Sequence, residues 1–219
     1  MKMLDTFQHQ GLRRGLIKEL EAKGITHQQV LDAMMAVPRH FFFDSAFLKF
    51  AYDDKAFPIG AGQTISQPYT VAAQSTLLAL EPGMKVLEVG TGSGYQAAVL
   101  AQMGAKVFSI ERQRTLFKIA TQQLRAMNTT VKTFYGDGYK GLPAYAPFDR
   151  ILVTCGAPAV PNELLPQLKP DGIMVVPVGD GDEQVMTRIQ MKPDGSMHTT
   201  THGTFSFVPM LPHKATERS

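Results

Sequence analysis

A glycine-rich segment at residues 88–94, with the sequence EVGTGSG, constrains the fold of this chain more than any other feature. The aliphatic run at residues 84–87 precedes it and is typical of a buried β-strand. Good helix formers follow it at residues 95–103. A strand, a glycine turn and a helix in this order predict a nucleotide site, because glycines let the backbone approach a ligand and the helix start offers free N–H groups.

The spacing of the glycines indicates the kind of nucleotide. A dinucleotide fingerprint has the form Gly-x-Gly-x-x-Gly, and Tyr95 stands where its third glycine would be. Here Gly90 and Gly92 follow an acid, Glu88, which suits the ammonium and sulfonium of S-adenosylmethionine and would repel a pyrophosphate. Glu111 ends the next strand-like run and could accept both hydroxyls of a ribose. An ordinary tight turn is the alternative explanation of the glycines alone.

Length and composition favour one compact α/β unit. Of the 219 residues, 44% are hydrophobic, which is enough for a single substantial core. No linker, repeat or low-complexity stretch divides the chain, so we expect a single domain. Its three parts are a helical cap with a substrate loop at residues 1–80, a cofactor-binding core at residues 84–180, and a C-terminal hairpin and tail at residues 181–219.

Charge and cysteine content limit the partners and the compartment. The formal net charge is +3 and the basic residues are scattered, which predicts no nucleic-acid partner. The single cysteine cannot form an intrachain disulfide and suits a reducing compartment. No signal-peptide core and no run of ~18 apolar residues is found, so we expect a cytoplasmic protein without a membrane partner. The oligomeric state is not predicted.

Strands and helices alternate from residue 84 onward, which predicts a Rossmann-like, doubly wound and mostly parallel sheet. Its strands are expected at residues 84–89, 106–110, 131–135, 148–153 and 173–178. A short helix at about residues 162–168 precedes the last of these. Residues 184–191 and 197–208 flank a Lys-Pro-Asp-Gly turn and predict a C-terminal antiparallel hairpin.

The N-terminal fifty residues predict a helical cap over this sheet. Leu12, Leu16 and Leu20 form an apolar stripe on the first helix. The sequence THQQ at residues 26–29 predicts a capping box at the start of the second helix, which should stop before Pro38.

Several residues with useful chemistry follow the predicted strand ends. Gly90, Glu111, Asp137 and Cys155 should converge, because ligands of such sheets bind at the carboxyl ends of the strands. Asp137 could accept a hydrogen bond from an adenine amino group, with Gly138 admitting the ring. A simple Asx turn is the alternative explanation for Asp137.

The segment TCGAP at residues 154–158 argues against two classes of nucleic-acid methyltransferase. Adenine-N enzymes typically have Asn/Asp-Pro-Pro-Tyr at this place, and cytosine-C5 enzymes need a Pro-Cys nucleophile. We therefore expect Cys155 to be packed and inert. His198 and His202 could share a strand face, but no third ligand follows at metal spacing, so no metal is predicted.

A second motif, PIGAGQTISQPYTVA, occupies residues 58–72. Gly60 and Gly62 make a flexible approach to a helix that should begin near Pro68. Ser66 would then lie beside the N-terminal N–H groups of this helix, where a carboxylate is favourable. The alternative is that Ser66 only caps the helix.

Residues 60–72, together with residues 86–95, closely resemble the protein-L-isoaspartate O-methyltransferase family, especially its bacterial form. The sequences YGDG at 135–138, FDRI at 148–151, LPQLKPDG at 165–172 and FVPM at 207–210 extend the resemblance over nearly the whole chain. The TISQP segment is more specific than the glycine turn, which all class I methyltransferases share. The chain departs from the family at Met210, where Leu is usual, and at Ser206, where a basic residue often stands; both bear on peptide docking.

The resemblance implies methyl transfer from S-adenosylmethionine to the free α-carboxylate of L-isoaspartyl residues in damaged proteins and peptides, leading to repair through a succinimide. It implies that Ser66 is the catalytic residue that holds this carboxylate and that the backbone around Ile65 and Val208 pairs with the peptide. The cofactor-binding residues that it implies are Gln67, Tyr69, Glu88, Gly90, Gly92, Glu111, Asp137 and Gly138. The alternative function is a class I methyltransferase acting on a small-molecule hydroxyl or carboxylate, which has no use for the TISQP segment.

Overall fold

A seven-stranded sheet organises the part of the chain that the computed structural model describes, residues 4–215. Its strands are β3 (Lys85–Val89), β4 (Lys106–Glu111), β5 (Lys132–Tyr135), β6 (Phe148–Val153), β7 (Leu168–Val178), β8 (Gln184–Met191) and β9 (Met197–Phe205). Their spatial order is β5-β4-β3-β6-β7-β8-β9. The strands from β5 to β7 in this order pair in parallel, whereas β8 and β9 are antiparallel. The predicted mostly parallel, Rossmann-like sheet with a C-terminal antiparallel hairpin is confirmed.

Both faces of the sheet are covered, which makes it a rigid base for loops at its edge. Successive side chains of β3 point to opposite faces. Val86 packs with Leu100 in the core on the side of the helices. Leu87 packs on the other side with Leu164 and Met210, which come from irregular segments. Continuous aliphatic runs such as β3 are typical of parallel strands buried on two faces.

The helices are α1 (Phe7–Ala22), α2 (Gln28–Ala36), α3 (Pro68–Leu77), α4 (Tyr95–Gln102) and α5 (Arg114–Ala126). As predicted, Leu16 and Leu20 of α1 are buried and α2 ends before Pro38, but Leu12 is exposed. Within residues 4–215, no helix is both long enough and apolar enough to cross a membrane.

The predicted capping box at residues 26–29 is wrong. His27 is the N-cap of α2 and makes no side-chain capping bond, because the extended backbone immediately before the helix falls on His27 and leaves Thr26 one residue outside. A capping box forms instead at α1, where the Thr6 hydroxyl accepts from the His9 backbone N–H and the His9 ring reaches the Thr6 backbone N–H.

Three element bounds differ from the expected ones. The short helix before β7 is reduced to a single 3₁₀ turn, Leu165–Gln167, and β7 itself begins at Leu168 rather than at residue 173. Strand β9 ends at Phe205 rather than at residue 208. Beyond it, the Phe207 N–H donates to the side-chain oxygen of Gln184 instead of to a neighbouring strand.

A small hairpin at residues 57–65 was not predicted from the sequence. Its strands are β1 (Phe57–Gly60) and β2 (Gln63–Ile65), which pair antiparallel. Proline and glycine are poor strand formers, so the PIGAG sequence gave no strand signal. The turn needs the two glycines, because Gly60, Ala61 and Gly62 all have positive φ, at 91°, 50° and 67°. The hairpin carries the following residues, including Ser66, to the edge of the main sheet.

Candidate active site

A cavity of about 790 Å³, measured out to open solvent, lies at the carboxyl ends of β3, β4 and β6. The lining comes from the exit of the small hairpin at residues 63–66, the glycine turn at residues 90–93, the end of β4, the segment after β6 and the C-terminal segment at residues 208–211. Segments that are far apart in the sequence therefore meet at the predicted edge of the sheet.

The glycine turn requires glycine at Gly90, whose φ is +100°. A Cβ added there would lie 2.6 Å from Oγ1 of Thr154. This hydroxyl in turn donates to the carbonyls of Val89 and Gly90, at 2.9 and 2.7 Å, and so joins β6 to the turn. The turn thus keeps its backbone open to the cavity without side chains over it.

Glu111 lies at the end of β4 and lines the same cavity, with 4% of its surface exposed. Its Oε2 accepts from the Gly92 N–H at 2.8 Å, and its Oε1 accepts from the Gln113 N–H at 2.8 Å. Each carboxylate oxygen retains a lone pair for a further donor, such as a ribose hydroxyl. The structure therefore brings together Gly90, Gly92 and Glu111, as the sequence predicted.

Glu88 is not among the residues that line the cavity, and its predicted contact with the cofactor stays a prediction. Its side chain is fully buried inside the sheet layer and accepts from the hydroxyl of Ser109, the residue opposite it on β4. Burial raises the pKa of Glu88 to about 8. Successive side chains of a strand point to opposite faces of the sheet, and this alternation directs Glu88 toward the face that the helices cover. The glycine turn begins only after this residue.

The raised pKa of Glu88 predicts a pH-dependent contribution to stability. In the folded state the carboxyl proton of Glu88 is retained up to about pH 8, whereas the unfolded state releases it near pH 4.5, so the free energy of unfolding should fall as the pH rises between these values. In denaturant titrations, the free energy of unfolding of Glu88→Gln should rise relative to that of the wild type by at most ~1.4 kcal/mol per pH unit over this range. Glu21→Gln, at an exposed position on α1, serves as the control. If the free energies of unfolding of Glu88→Gln and the wild type changed with pH in parallel, the raised pKa of Glu88 would be contradicted.

Ser66 is half-buried and lines the cavity. It is not the cap of α3, because this helix begins at Pro68 with Gln67 as its N-cap. The N-terminus is capped instead by Asp54, whose Oδ1 accepts from the Tyr69 N–H at 2.7 Å. The Ser66 hydroxyl makes no hydrogen bond within residues 4–215, so it is available to a ligand.

Gln67 and Tyr69 are not among the residues that line the cavity, and their predicted contact with the cofactor stays a prediction. The Gln67 amide donates to the backbone and side-chain oxygens of Asp54, at 3.2 and 3.1 Å. The Tyr69 ring stacks on Phe205, with the ring centres 6.2 Å apart. The buried Asp54 carboxylate therefore holds the side chain of Gln67, and no local sequence pattern indicates this partner.

Both side-chain oxygens of Asp137 accept hydrogen bonds from the backbone. Its Oδ1 caps a 3₁₀ turn by accepting from the Tyr139 N–H at 3.0 Å, and its Oδ2 accepts from the His213 N–H at 2.9 Å. Asp137 thus forms the Asx turn of the alternative explanation, holds the C-terminal segment and is not among the residues that line the cavity. Its predicted hydrogen bond to an adenine stays a prediction. Gly138 does line the cavity, and a Cβ there would lie 2.6 Å from Cγ1 of Val89.

The two predicted peptide-binding positions both line the cavity. Ile65 is buried at the end of β2, and Val208 lies in the segment after β9. That segment is held by Gly156, whose N–H donates to the Val208 carbonyl at 2.9 Å and whose carbonyl accepts from the Met210 N–H at 2.7 Å. An extended peptide could therefore meet exposed backbone at this edge.

A model of the family described as "Protein-L-isoaspartate(D-aspartate) O-methyltransferase (PCMT)" matches residues 12–215. The chain belongs to the protein-L-isoaspartate O-methyltransferase family.

Individual relatives of the family match over most of their length. A protein-L-isoaspartate O-methyltransferase of Flavobacterium johnsoniae is 54% identical over 213 residues, which is 97% of this chain and 100% of that protein. One from Christiangramia forsetii is 55% identical with the same coverage. A solved protein-L-isoaspartate O-methyltransferase aligns with a TM-score of 0.80 and 29% identity over 90% of this chain and 65% of its own. A Plasmodium falciparum structure, at 24% identity over 91% of this chain and 98% of its own, shares the fold with a TM-score of 0.80.

The cofactor of this methyltransferase family is S-adenosylmethionine, and the cavity suits it. The residues that would hold it are the backbone of Gly90 and Gly92 and the carboxylate of Glu111. The glycine positions leave space that side chains would close, and the acid offers acceptors for a ribose. Arg112 and Ser93 also line the cavity but were not predicted as site residues. In the sequence Arg112 follows Glu111 and Ser93 follows Gly92, and this adjacency to predicted site residues could have indicated them.

Cys155 lines the cavity, and burial raises the pKa of its thiol to about 12. The thiol is therefore protonated and a poor nucleophile at neutral pH. We expect Cys155→Ala and Cys155→Ser to keep substantial methyltransferase activity in a steady-state assay. Complete loss of turnover in a variant that folds and binds the cofactor would revive a covalent mechanism.

A cluster of potential metal ligands lies outside the cavity and was not predicted from the sequence. Ligand atoms of Asp5, His9 and His40 lie within 4.8 Å of one another. Both oxygens of Asp5, however, bind the guanidinium of Arg13, at 2.8 and 3.1 Å. This cation already neutralises the carboxylate and would repel a metal ion, so we assign the cluster a structural role. His198 and His202 are exposed on β9.

Proposed function

We propose that this enzyme transfers the methyl group of S-adenosylmethionine to the free α-carboxylate of L-isoaspartyl residues in damaged proteins and peptides, with Ser66 orienting that carboxylate. The observation that carries the proposal is the position of Ser66. Its unbonded hydroxyl lines the same cavity as the glycine turn and Glu111. A substrate group held by Ser66 would therefore face the cofactor.

The reaction needs no base from the protein. A peptide α-carboxylate has a pKa of about 3.5 and is already ionised at neutral pH, so it is its own nucleophile. No histidine is found among the described residues that line the cavity, and the Cys155 thiol holds its proton. The catalytic task is alignment of the carboxylate with the methyl–sulfur bond and removal of its hydration.

The bound cofactor supplies a methyl group on a sulfonium, which leaves as a neutral thioether when a carboxylate oxygen takes the methyl. The Glu111 carboxylate and the Gly92 backbone would hold the cofactor in the cavity. Ser66 donates a hydrogen bond to the carboxylate oxygen that is not methylated, and the backbone near Ile65 and Val208 aligns the peptide. A positive sulfonium and a negative carboxylate react to give a neutral thioether and a neutral ester. A site with little water favours such a step, because water stabilises the charged reactants more than the neutral products.

The neighbouring peptide nitrogen attacks the carbonyl of the methyl ester more readily than that of the free carboxylate, because the ester carries no negative charge and can release methanol. We infer that the ester closes to a succinimide without further help from the enzyme, and that the succinimide reopens partly to a normal aspartyl residue. The proposed partners are isoaspartyl-containing proteins and peptides, with no nucleic acid, and the proposed compartment is the cytoplasm. Scattered basic residues and a single cysteine support these two assignments.

The decisive experiment compares two peptides that differ only at one residue. Labelled S-adenosylmethionine is incubated with the enzyme and either an isoaspartyl peptide or its aspartyl twin, and incorporation of base-labile label is counted. We expect methylation of the isoaspartyl peptide alone. Equal labelling of both peptides, or labelling only of small carboxylic acids offered in the same assay, would contradict the proposal.

A further inference from the structure

Arg39 is a fully buried cation directly behind the substrate segment. It lies in a 3₁₀ turn, Arg39–Phe42, between α2 and β1. Its Nη2 donates to the backbone carbonyl of Ser66 at 2.8 Å, and a longer contact of 3.5 Å reaches the carbonyl of Lys55. Its Nε and Nη1 form no hydrogen bond within residues 4–215. The proposed reaction leaves this cation unused, and it does not line the cavity.

Burying this charge is unfavourable, so its retention requires an explanation. Within the described part of the chain, no carboxylate lies within ion-pair distance of Arg39. Burial lowers the pKa of Arg39 to about 10, which still leaves it charged at neutral pH. The rings of Tyr95 and Phe43, 4.8 and 5.3 Å from the guanidinium carbon, stabilise the charge in part. An apolar side chain would fill this space at lower cost, but it could not hold the Ser66 carbonyl.

A second group holds the same segment from its other end. The Asp54 side chain is 2% exposed, accepts from the Tyr69 N–H and pairs with the Lys23 ammonium at 2.7 Å. The backbone from Ser66 to Tyr69 is therefore fixed at one carbonyl by a cation and at one N–H by an anion. Since the Ser66 hydroxyl makes no hydrogen bond within residues 4–215, the direction in which it points depends on the backbone of residues 66–69.

We propose that Arg39 is a positioning residue for Ser66. Its hydrogen bond fixes the peptide plane that follows Ser66 and so aims the hydroxyl at the substrate carboxylate, without Arg39 touching the substrate. The inference rests on the proposed function, because that function assigns the hydroxyl its role. Without the bond the peptide plane can rotate, and a displacement of ~1 Å at an orienting group can lower the rate about a hundredfold.

The test is a double-mutant cycle on kcat with isoaspartyl peptide. We expect Arg39→Met to lower kcat by roughly 10- to 100-fold while KM for the peptide and Kd for S-adenosylhomocysteine change little. In the Ser66→Ala background the same change should lower kcat no further than about twofold, because both substitutions remove one interaction. Arg39→Lys, which keeps a charged donor, should restore part of the rate and serves as the second variant if Arg39→Met does not fold.

Arg150 provides a matched control. It is another buried arginine that donates to backbone carbonyls, those of Leu78 and Ala79 at 2.6 and 2.9 Å, but away from the cavity. Arg150→Met should lower the melting temperature and leave kcat unchanged.

If the losses of kcat caused by Arg39→Met and Ser66→Ala multiplied in the double variant, the positioning role of Arg39 would be overturned. The proposed role of Ser66 would stand, because Ser66→Ala would still show its own loss of kcat. An equal fall of kcat in Arg150→Met and Arg39→Met would overturn it as well. A near-normal kcat of Ser66→Ala would instead remove the proposed role of Ser66 and this inference with it.

Discussion

Ser66→Ala should lower kcat for methylation of an isoaspartyl peptide about a hundredfold, with little change in melting temperature. The physical reason is the position of the hydroxyl, which lines the cavity and makes no hydrogen bond within residues 4–215. Loss of a helix cap would instead cost ~1 kcal/mol of stability and leave the chemistry intact. That effect is not expected here, because Asp54 caps α3. The measurement is steady-state kinetics beside thermal unfolding.

Two controls sharpen this result. Ser45→Ala changes an exposed serine remote from the cavity and should leave both kcat and melting temperature near the wild-type values. Affinity for S-adenosylhomocysteine should be unchanged in Ser66→Ala, since Glu111 and the glycine turn are intact. A variant that melts earlier but methylates at a near-normal rate would show that the assignment of Ser66 as the orienting residue is wrong.

Glu111→Ala is expected to weaken binding of S-adenosylmethionine and S-adenosylhomocysteine by ~1.5–3 kcal/mol. Isothermal calorimetry should record this as a rise in Kd of about ten- to a hundredfold. The substitution removes the proposed ribose acceptor and also releases the Gly92 N–H from its 2.8 Å bond to the carboxylate. The wild-type protein should show no binding of NAD, since the acid-led glycine turn does not suit a pyrophosphate.

Glu111→Gln separates these contributions because it keeps an acceptor oxygen but removes the charge. We expect an affinity between those of the wild type and Glu111→Ala. Glu163→Ala, at an exposed position outside the cavity, is the control for a general effect of charge. Unchanged affinity in a folded Glu111→Ala variant would remove this residue from the cofactor site.

Some of the site could be predicted because it is encoded over short stretches of chain. The aliphatic run, the alternating glycines and the helix formers of residues 84–103 each specify their own local conformation. In a parallel sheet, residues that follow strand ends must meet at one edge, so Gly90 and Glu111 could be placed together without coordinates. The same reasoning gave the C-terminal hairpin, where the Gly195 N–H donates to the Lys192 carbonyl at 2.9 Å as the predicted turn requires.

The directions of other side chains could not be predicted, because they depend on a partner that is distant along the chain. Glu88 has the spacing of a cofactor ligand, yet its place on β3 buries it against Ser109. Gln67 turns toward Asp54, and Asp137 is occupied by the backbone of residue 213. Short-range patterns contain no information about these partners, which lie between 13 and 76 residues away along the chain.

The sequence by itself therefore determined the class of the fold, the identity of the cofactor-binding edge and the family, because each depends on local periodicity or on a contiguous motif. Only the tertiary structure decided which side chains face the cavity, that Asp54 rather than Ser66 caps α3, and that Arg39 holds the Ser66 carbonyl. The physical reason is that a buried charge takes its partner from whatever segment packs beside it. The packing of the whole chain therefore determines the partner, because burying a charge without a hydrogen-bonding or charged partner is unfavourable in free energy.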